Sequence, residues 1–220
     1  MKTVQTSAAR PFRPRRPPAI GRMPALRPVR RDDGPALHRF IQALSSETRR
    51  QRFHALLSGC GPAMLAILAG ADGQRHVAFV ATLPAGDDEC IVAEARYVVA
   101  NDGESAEFAL VVAEDWQGSG LADRLMDALI AQARASGLQR LFGAVRADNA
   151  RMLRFIGRRG FIVSEADLGG ADREAGSVRV EHQIEAVSAA LARPHWPLLV
   201  DALRRWLQAH FILPVDRLHT

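Results

Sequence analysis

Residues 105–135 read SAEFALVVAEDWQGSGLADRLMDALIAQARA, an apolar run, a corner with two glycines in three residues, and leucines at helical spacing. In the first part Ala106, Phe108 and Leu110 alternate with Glu107, Ala109 and Val111, the period of a strand with two different faces. In the last part Leu121, Leu125, Leu129 and Ile130 recur on one face of a helix, and Gly137 follows as its stop signal. A strand delivered through a glycine corner into an amphipathic helix must pack as a sheet layer against a helix layer. The first amides of a helix lack internal partners and its dipole leaves that end partly positive. Such an end suits a phosphate group, and Gly118 and Gly120 would allow close approach and unusual φ. A lone glycine pair is more often a tight turn. The corner is no Walker motif, because no lysine follows, and its glycines are out of register for a dinucleotide fingerprint.

The order of the remaining elements frames this corner. ALRPVRR (25–31) reads as a short first strand. DDGPALHRFIQAL follows as a helix with Pro35 in its first turn and Leu37, Phe40, Ile41 and Leu44 on one face. SSETRRQRFHALL begins with a serine cap and a glutamate, as a second helix does. PAMLAILAG (62–70) fits either helix or strand. HVAFVATL (76–83), ECIVAEARYVVA (89–100) and SAEFALVVA (105–113), separated by PAGDD and NDGE, predict an antiparallel meander. After the corner helix, LQRLFGAV reads as a strand, NARMLRFIGRRGF as a helix, and FIVSE and SVRVEHQIE as closing strands. The expected fold class is mixed α/β, a mostly antiparallel central sheet flanked by helices.

Charge divides the chain. Residues 1–31 hold nine basic residues and no acid, while the whole chain carries +5, so the rest is net −4. The segment 1–24 is proline- and arginine-rich and poor in apolar residues, the composition of a disordered tail. Nucleic-acid binding through such a tail is the secondary reading, since an acidic body and a lone Phe12 offer it little help. Its prolines break the helix a transit peptide needs. Residues 186–220 form the other appendage, with Leu199, Ala202, Leu203, Trp206, Leu207 and His210 on one face of a helical extension. No apolar run approaches the ~20 residues needed to span a bilayer. Cys60 and Cys90 lack metal-ligand spacing and no secretory signal precedes them, which fits a reducing, cytoplasmic compartment. The seven histidines show no metal spacing, so no metal is expected. Lys2 is the only lysine beside 28 arginines; an arginine-rich genome explains this, and avoidance of self-modification is the sharper alternative.

Two motifs together carry a resemblance. The sequence resembles the GNAT superfamily of acetyl-coenzyme A-dependent N-acetyltransferases over about residues 25–185. The signature Gln/Arg-x-x-Gly-x-Gly/Ala is matched by Gln117, Gly120 and Ala122, and an Asn followed by Gly-Phe is matched by Asn149, Gly160 and Phe161. The runs ALSSETRRQRF, EARYVV, AEFALVVAEDWQGSGLADRLMDALI and ASGLQRLFGAV are similar to the bacterial protein-lysine acetyltransferases that modify acyl-CoA synthetases.

The resemblance implies acetyl-CoA as co-substrate, with its pyrophosphate on the amides of Gln117, Gly118, Ser119, Gly120, Leu121 and Ala122. It implies that Leu110, Val111 and Val112 meet the pantetheine arm, one amide polarising the thioester carbonyl. Asn149 would contact the cofactor; a plain helix cap is the other reading. An acceptor amine must lose a proton as it attacks, and Glu107, mid-strand beside that segment, is the candidate base. A salt-bridged edge glutamate is its structural alternative, and Glu94 and Glu104 are weaker candidates. The tyrosine that many such enzymes use as acid falls at Ile156, and Tyr97 is the only tyrosine present. The expected acceptor is a protein lysine. Small amines, or acyl-CoA binding without turnover, are the alternatives, and the chain is expected as a monomer or homodimer.

Overall fold

The computed structural model describes residues 23–53, 61–86, 88–164 and 176–184. The expected tail, save its last two residues, and the 186–220 extension lie outside the described residues. One seven-stranded sheet organises the rest. Its strands are β1 (Ala25–Pro28), β2 (His76–Ala85), β3 (Asp88–Val99), β4 (Ser105–Val112), β5 (Arg140–Arg146), β6 (Ile162–Ser164) and β7 (Ser177–Gln183). Their order is β1-β2-β3-β4-β5-β7-β6, and only β4 and β5 run parallel. The meander β2–β4 is as the turn signals predict, with the β2–β3 hairpin tighter than PAGDD suggests, since Ala85 already pairs with Asp88.

Helices α1 (Gly34–Ala43), α2 (Ser46–Phe53) and α3 (Pro62–Ala69) precede the meander. The ambiguous PAMLAILAG is therefore helical. Pro62 pre-sets its first turn, and Met64 and Leu68, four apart, are buried on one side. Helix α4 (Leu121–Ala135) connects β4 to β5, the crossover that a parallel pair requires. It buries Leu121, Leu125, Met126, Leu129 and Ala133. Each such leucine contributes about 1.5–3 kcal/mol when fully removed from water. Helix α5 (Ala150–Arg158) follows β5.

The two sheet faces are covered by different helices. Tyr97 on β3 reaches Ser136 just beyond α4 at 3.3 Å, so its side of the sheet is the α4 side. Arg96, its neighbour, donates to the Leu68 carbonyl of α3 at 3.2 Å, so the opposite side is the α1–α3 side. Residues Ile91–Tyr97 of β3 are accordingly all buried, covered from both directions.

Both helices of the second half end in a Schellman motif. Leu138 and Gly137 amides bond to Ala133 and Arg134 carbonyls after α4, and Phe161 and Gly160 amides to Ile156 and Gly157 carbonyls after α5. Gly137 and Gly160 take φ of 72° and 77°, which a side chain would resist. The second motif turns Phe161 inward.

Candidate active site

β4 and β5 pair only from Ser105↔Arg140 to Glu107↔Phe142. Beyond that point β4 continues to Val112 and β5 to Arg146 with no further register between them. The sheet therefore opens into a cleft. The Ser105 carbonyl accepts from Ala100 and the Ala113 amide donates to Val92, which assigns odd-numbered β4 residues to the β3 ladder. The even-numbered residues turn their backbone groups toward β5. Of the three residues expected to line the pantetheine arm, Leu110 thus presents its amide and carbonyl to the cleft. Val111 turns its own toward Glu94 on β3. The Val112 carbonyl accepts from Gln117 Nε2 at 3.1 Å.

A stack of rings sits beside the point of divergence. Phe108 lies 5.0 Å from Phe161, and Phe161 lies 4.9 Å from His182, ring centroid to centroid. Gly143 on β5 makes room for this stack, since a Cβ there would lie 2.9 Å from Phe108 Cε1. The Gly160-Phe161 pair read as a motif has a physical role in this arrangement: it brings the second ring under the cleft.

At the mouth of the cleft the chain turns through Gln117–Gly120 into α4. Gly118 and Gly120 have φ of 85° and 83°. A Cβ on Gly120 would meet nothing within 4 Å, so the corner is open in front of the helix end. Two of the six amides expected to hold a pyrophosphate are used internally. Gln117 N–H donates to Glu114 at 3.1 Å and Ser119 N–H to Trp116 at 3.3 Å. Gly118, Gly120, Leu121 and Ala122 remain as the candidate donors, the last two being first-turn amides with no carbonyl one turn back. Corner and cleft fit the elongated phosphate-bearing acetyl-CoA that the resemblance implies. Arg151, in the first turn of α5, joins this corner by donating from Nη1 to Gln117 Oε1 at 2.5 Å. Asn149 caps α5, its Oδ1 accepting from the Met152 amide at 3.0 Å.

Glu107 lies at the apex of the cleft and is exposed. It is the last β4 residue paired with β5, opposite Phe142, and it faces Val98 on β3. Cross-strand partners share a face, so Glu107 is on the α1–α3 side, away from α4. Phe142 shares that side, its ring covered by the Arg179 guanidinium at 4.0 Å, and Arg179 Nε bonds to Glu181 at 2.6 Å.

Farther along the same face lies a buried charged cluster. Glu94 is bonded to Arg96 and approached by Arg52 of α2 at 3.4 Å, and Arg96 Nη1 is 2.8 Å from His76 Nε2. Burial opposes the charge of Glu94, yet Arg96 and Arg52 hold its carboxyl below the usual range. Burial and the Arg96 charge push the His76 imidazole down to about 4, so it is neutral and accepts from Arg96. Glu104 stands before β4, at the end of that strand remote from the cleft.

Helix α2 lies across the two diverging strand ends. Ser45, whose Oγ caps α2 by accepting from the Thr48 amide, donates its own amide to Glu114 just past β4 at 2.9 Å. Arg50 reaches Asp148 just past β5 at 3.2 Å. The Arg146 and Arg50 guanidiniums hold the Asp148 carboxyl down at about 2.

Ile156 is buried, with no polar group to offer at the position of the family tyrosine. Tyr97 is fully buried on the α4 side and burial raises its pKa. Burial pushes the half-buried Cys90 thiol up to about 11, so it stays protonated. Cys60 and His54 lie outside the described residues. Among the described residues no three His, Cys, Asp or Glu side chains converge as metal ligands would, and no helix is long and apolar enough to cross a membrane.

Residues 41–161 match the family described as the acetyltransferase (GNAT) family. The acetyltransferase PA5475 of Pseudomonas aeruginosa is 34% identical over 145 residues, 63% of this chain and 78% of that protein. The acetyltransferase Pat of Mycolicibacterium smegmatis is 32% identical over 161 residues, 73% of this chain but only 44% of Pat, so the match spans less than half of that relative. Among solved structures, the GNAT domain of S. lividans PAT superposes with a TM-score of 0.64 at 25% identity, covering 72% of this chain and 89% of that one.

Proposed function

The chain belongs to the acetyltransferase (GNAT) family and is an acetyl-CoA-dependent N-acetyltransferase; from that premise we propose that its acceptor is a protein lysine and its general base Glu107. The observation that carries this is the placement of Glu107 at the apex of the cleft, on the sheet face away from α4. An acceptor amine entering on that face meets a carboxylate beside the segment that would hold the acyl group.

Acetyl-CoA supplies an activated thioester. Glu107, directly or through water, takes the proton that a lysine ε-amine loses as it attacks. That amine is neutral in only about one molecule in a few thousand at pH 7, so a positioned base contributes roughly 10²–10⁴-fold. The Leu110 amide, turned toward the cleft, polarises the thioester carbonyl. Gly118, Gly120, Leu121 and Ala122 amides hold the pyrophosphate against the positive end of α4. With Ile156 at the family tyrosine position, the thiolate leaves without a side-chain acid there. Glu94 is buried between two guanidiniums and so is less open to an acceptor amine than the exposed Glu107. The likeness to Pat and to the PAT domain supports a protein acceptor, as do the runs shared with bacterial protein-lysine acetyltransferases.

The test follows labelled acetyl from acetyl-CoA into a deacetylated protein extract and, in parallel, into a pool of small amines. Label on protein lysines that falls at least about tenfold in Glu107→Gln is the expected result. Label confined to small amines would move the acceptor to that class. Binding of acetyl-CoA with no transfer to any amine would make the domain a sensor.

A further inference from the structure

Gln117 and Arg151 meet at the glycine corner. The first signature position accepts Gln or Arg, and here it is a neutral Gln117. Its side chain is held at both ends, by the Val112 carbonyl at 3.1 Å and by Arg151 Nη1 at 2.5 Å. The guanidinium also overlies the corner itself, since a Cβ on Gly118 would lie 3.6 Å from Arg151 Nη2. Arg146 is spent on Asp148 and Arg159 on Asp123 and Asp127, whereas the exposed Arg154 and Arg158 of α5 stand farther along the helix from Gln117. Arg151 makes no ion pair among the described residues. It is exposed, at the corner where the phosphates are expected.

A pyrophosphate diester brings two negative charges, whereas a helix end offers only about half a positive one. A guanidinium supplies the rest as paired, charge-assisted hydrogen bonds to phosphate oxygens. We propose that Arg151 is the cationic ligand of the coenzyme A pyrophosphate in this chain, and that Gln117 is the residue that positions it. The assignment rests on the reading of the α4 corner as the pyrophosphate site and is independent of the acceptor and of Glu107.

The test measures coenzyme A and dephospho-coenzyme A binding to the full chain by calorimetry, with no turnover needed. Arg151→Ala and Arg151→Gln should each weaken both ligands about tenfold or more, the scale of a charged hydrogen bond lost. Their affinity should also fall less steeply with added salt than that of the wild type. Gln117→Arg placed in the Arg151→Ala background should recover most of the loss, because it returns the charge to the signature position. Wild-type affinity in Arg151→Gln would overturn the proposal, since that side chain can still bond to Gln117 but carries no charge. A loss seen with coenzyme A and absent with dephospho-coenzyme A would overturn it too, assigning Arg151 to the 3′-phosphate. If the wild type binds neither ligand, the corner itself is misread, an outcome distinct from both.

Discussion

Two glutamates on one face of adjacent strands, Glu94 and Glu107, meet opposite fates. Glu94 is buried between Arg96 and Arg52, so its charge is part of the core. Glu94→Gln would leave two guanidiniums without their carboxylate and should cost roughly 3–5 kcal/mol, the penalty for breaking a buried pair from one side. Glu107→Gln, at an exposed position, should cost no more than about 1 kcal/mol, the scale of an exposed polar interaction, while lowering kcat. Urea unfolding of both variants separates the roles, and equal destabilisation would put Glu107 in a structural network instead. His76 adds a pH dependence to the cluster. Its folded pKa of about 4 lies below the unfolded value of 6.5, so the unfolded chain takes up its proton first as pH falls. The stability it contributes is whole above about pH 6.5 and is lost progressively toward about pH 4, up to about 3 kcal/mol in all. The depressed Glu94 acts in the same direction, from a lower pH. His76→Gln keeps an acceptor for Arg96 and removes the titration, so its unfolding free energy should change less between pH 7 and 4.5. An unaltered slope would locate the acid sensitivity elsewhere.

At the scale of elements, α2 is unusual in burying none of its residues. A helix of eight residues without an apolar face is marginal by itself, so its place depends on its cap, on the polar contacts at its ends and on Phe53, its one residue packed against the core. Glu114→Ala removes the acceptor for the Ser45 amide and leaves the cofactor corner untouched. It should raise KM for the acceptor severalfold with little change in acetyl-CoA affinity. A change in coenzyme binding alone would mean that α2 does not cover the acceptor side. The serine cap of this helix is legible in SSETRRQRF, as are the strands, helices and turns of nearly the whole described chain, because period and punctuation are local. PAMLAILAG is not, since a continuous apolar run has no period to read. Nor is the insertion of β7 between β5 and β6, which depends on pairing between distant segments. At the site, Gln117, Gly120, Asn149 and Phe161 stand out by spacing. Arg151 and the Arg52–Glu94–Arg96–His76 cluster do not, because only the fold brings an arginine to Gln117 or turns three polar strand residues inward together. The same limit explains why Gln117 and Ser119 look like phosphate donors in the sequence, when their amides are committed to Glu114 and Trp116.

The whole molecule is arranged around a sheet that parts in the middle. β1–β4 form one continuous antiparallel half, and β5, β7 and β6 form another, joined by the short register at Ser105–Glu107. Helix α4 is packed on β2, β3 and β4, so the first half is stiffened by the core. What spaces the second half is the contact of Gly143 with Phe108, backed by Phe161 and His182. The Phe108 ring has little room to withdraw, because Phe161 stands 5.0 Å behind it and is itself stacked. A methyl at residue 143 would meet Phe108 Cε1 at 2.9 Å and its carbonyl oxygen at 3.1 Å, and the carbonyl belongs to β4 itself. Gly143→Ala must therefore push β5 and β4 apart where they should begin to part. The strain should cost about 1–3 kcal/mol, as overpacking does, and it should reach a ligand that never touches Gly143. Acetyl-CoA affinity is expected to fall about tenfold in Gly143→Ala, against a smaller loss in Phe161→Leu, which relieves the stack instead of loading it. Calorimetry and thermal unfolding of the two variants decide the matter. Lost stability with intact binding in Gly143→Ala would mean that the cleft width is set by α4 and α5, and that the ring stack is only core.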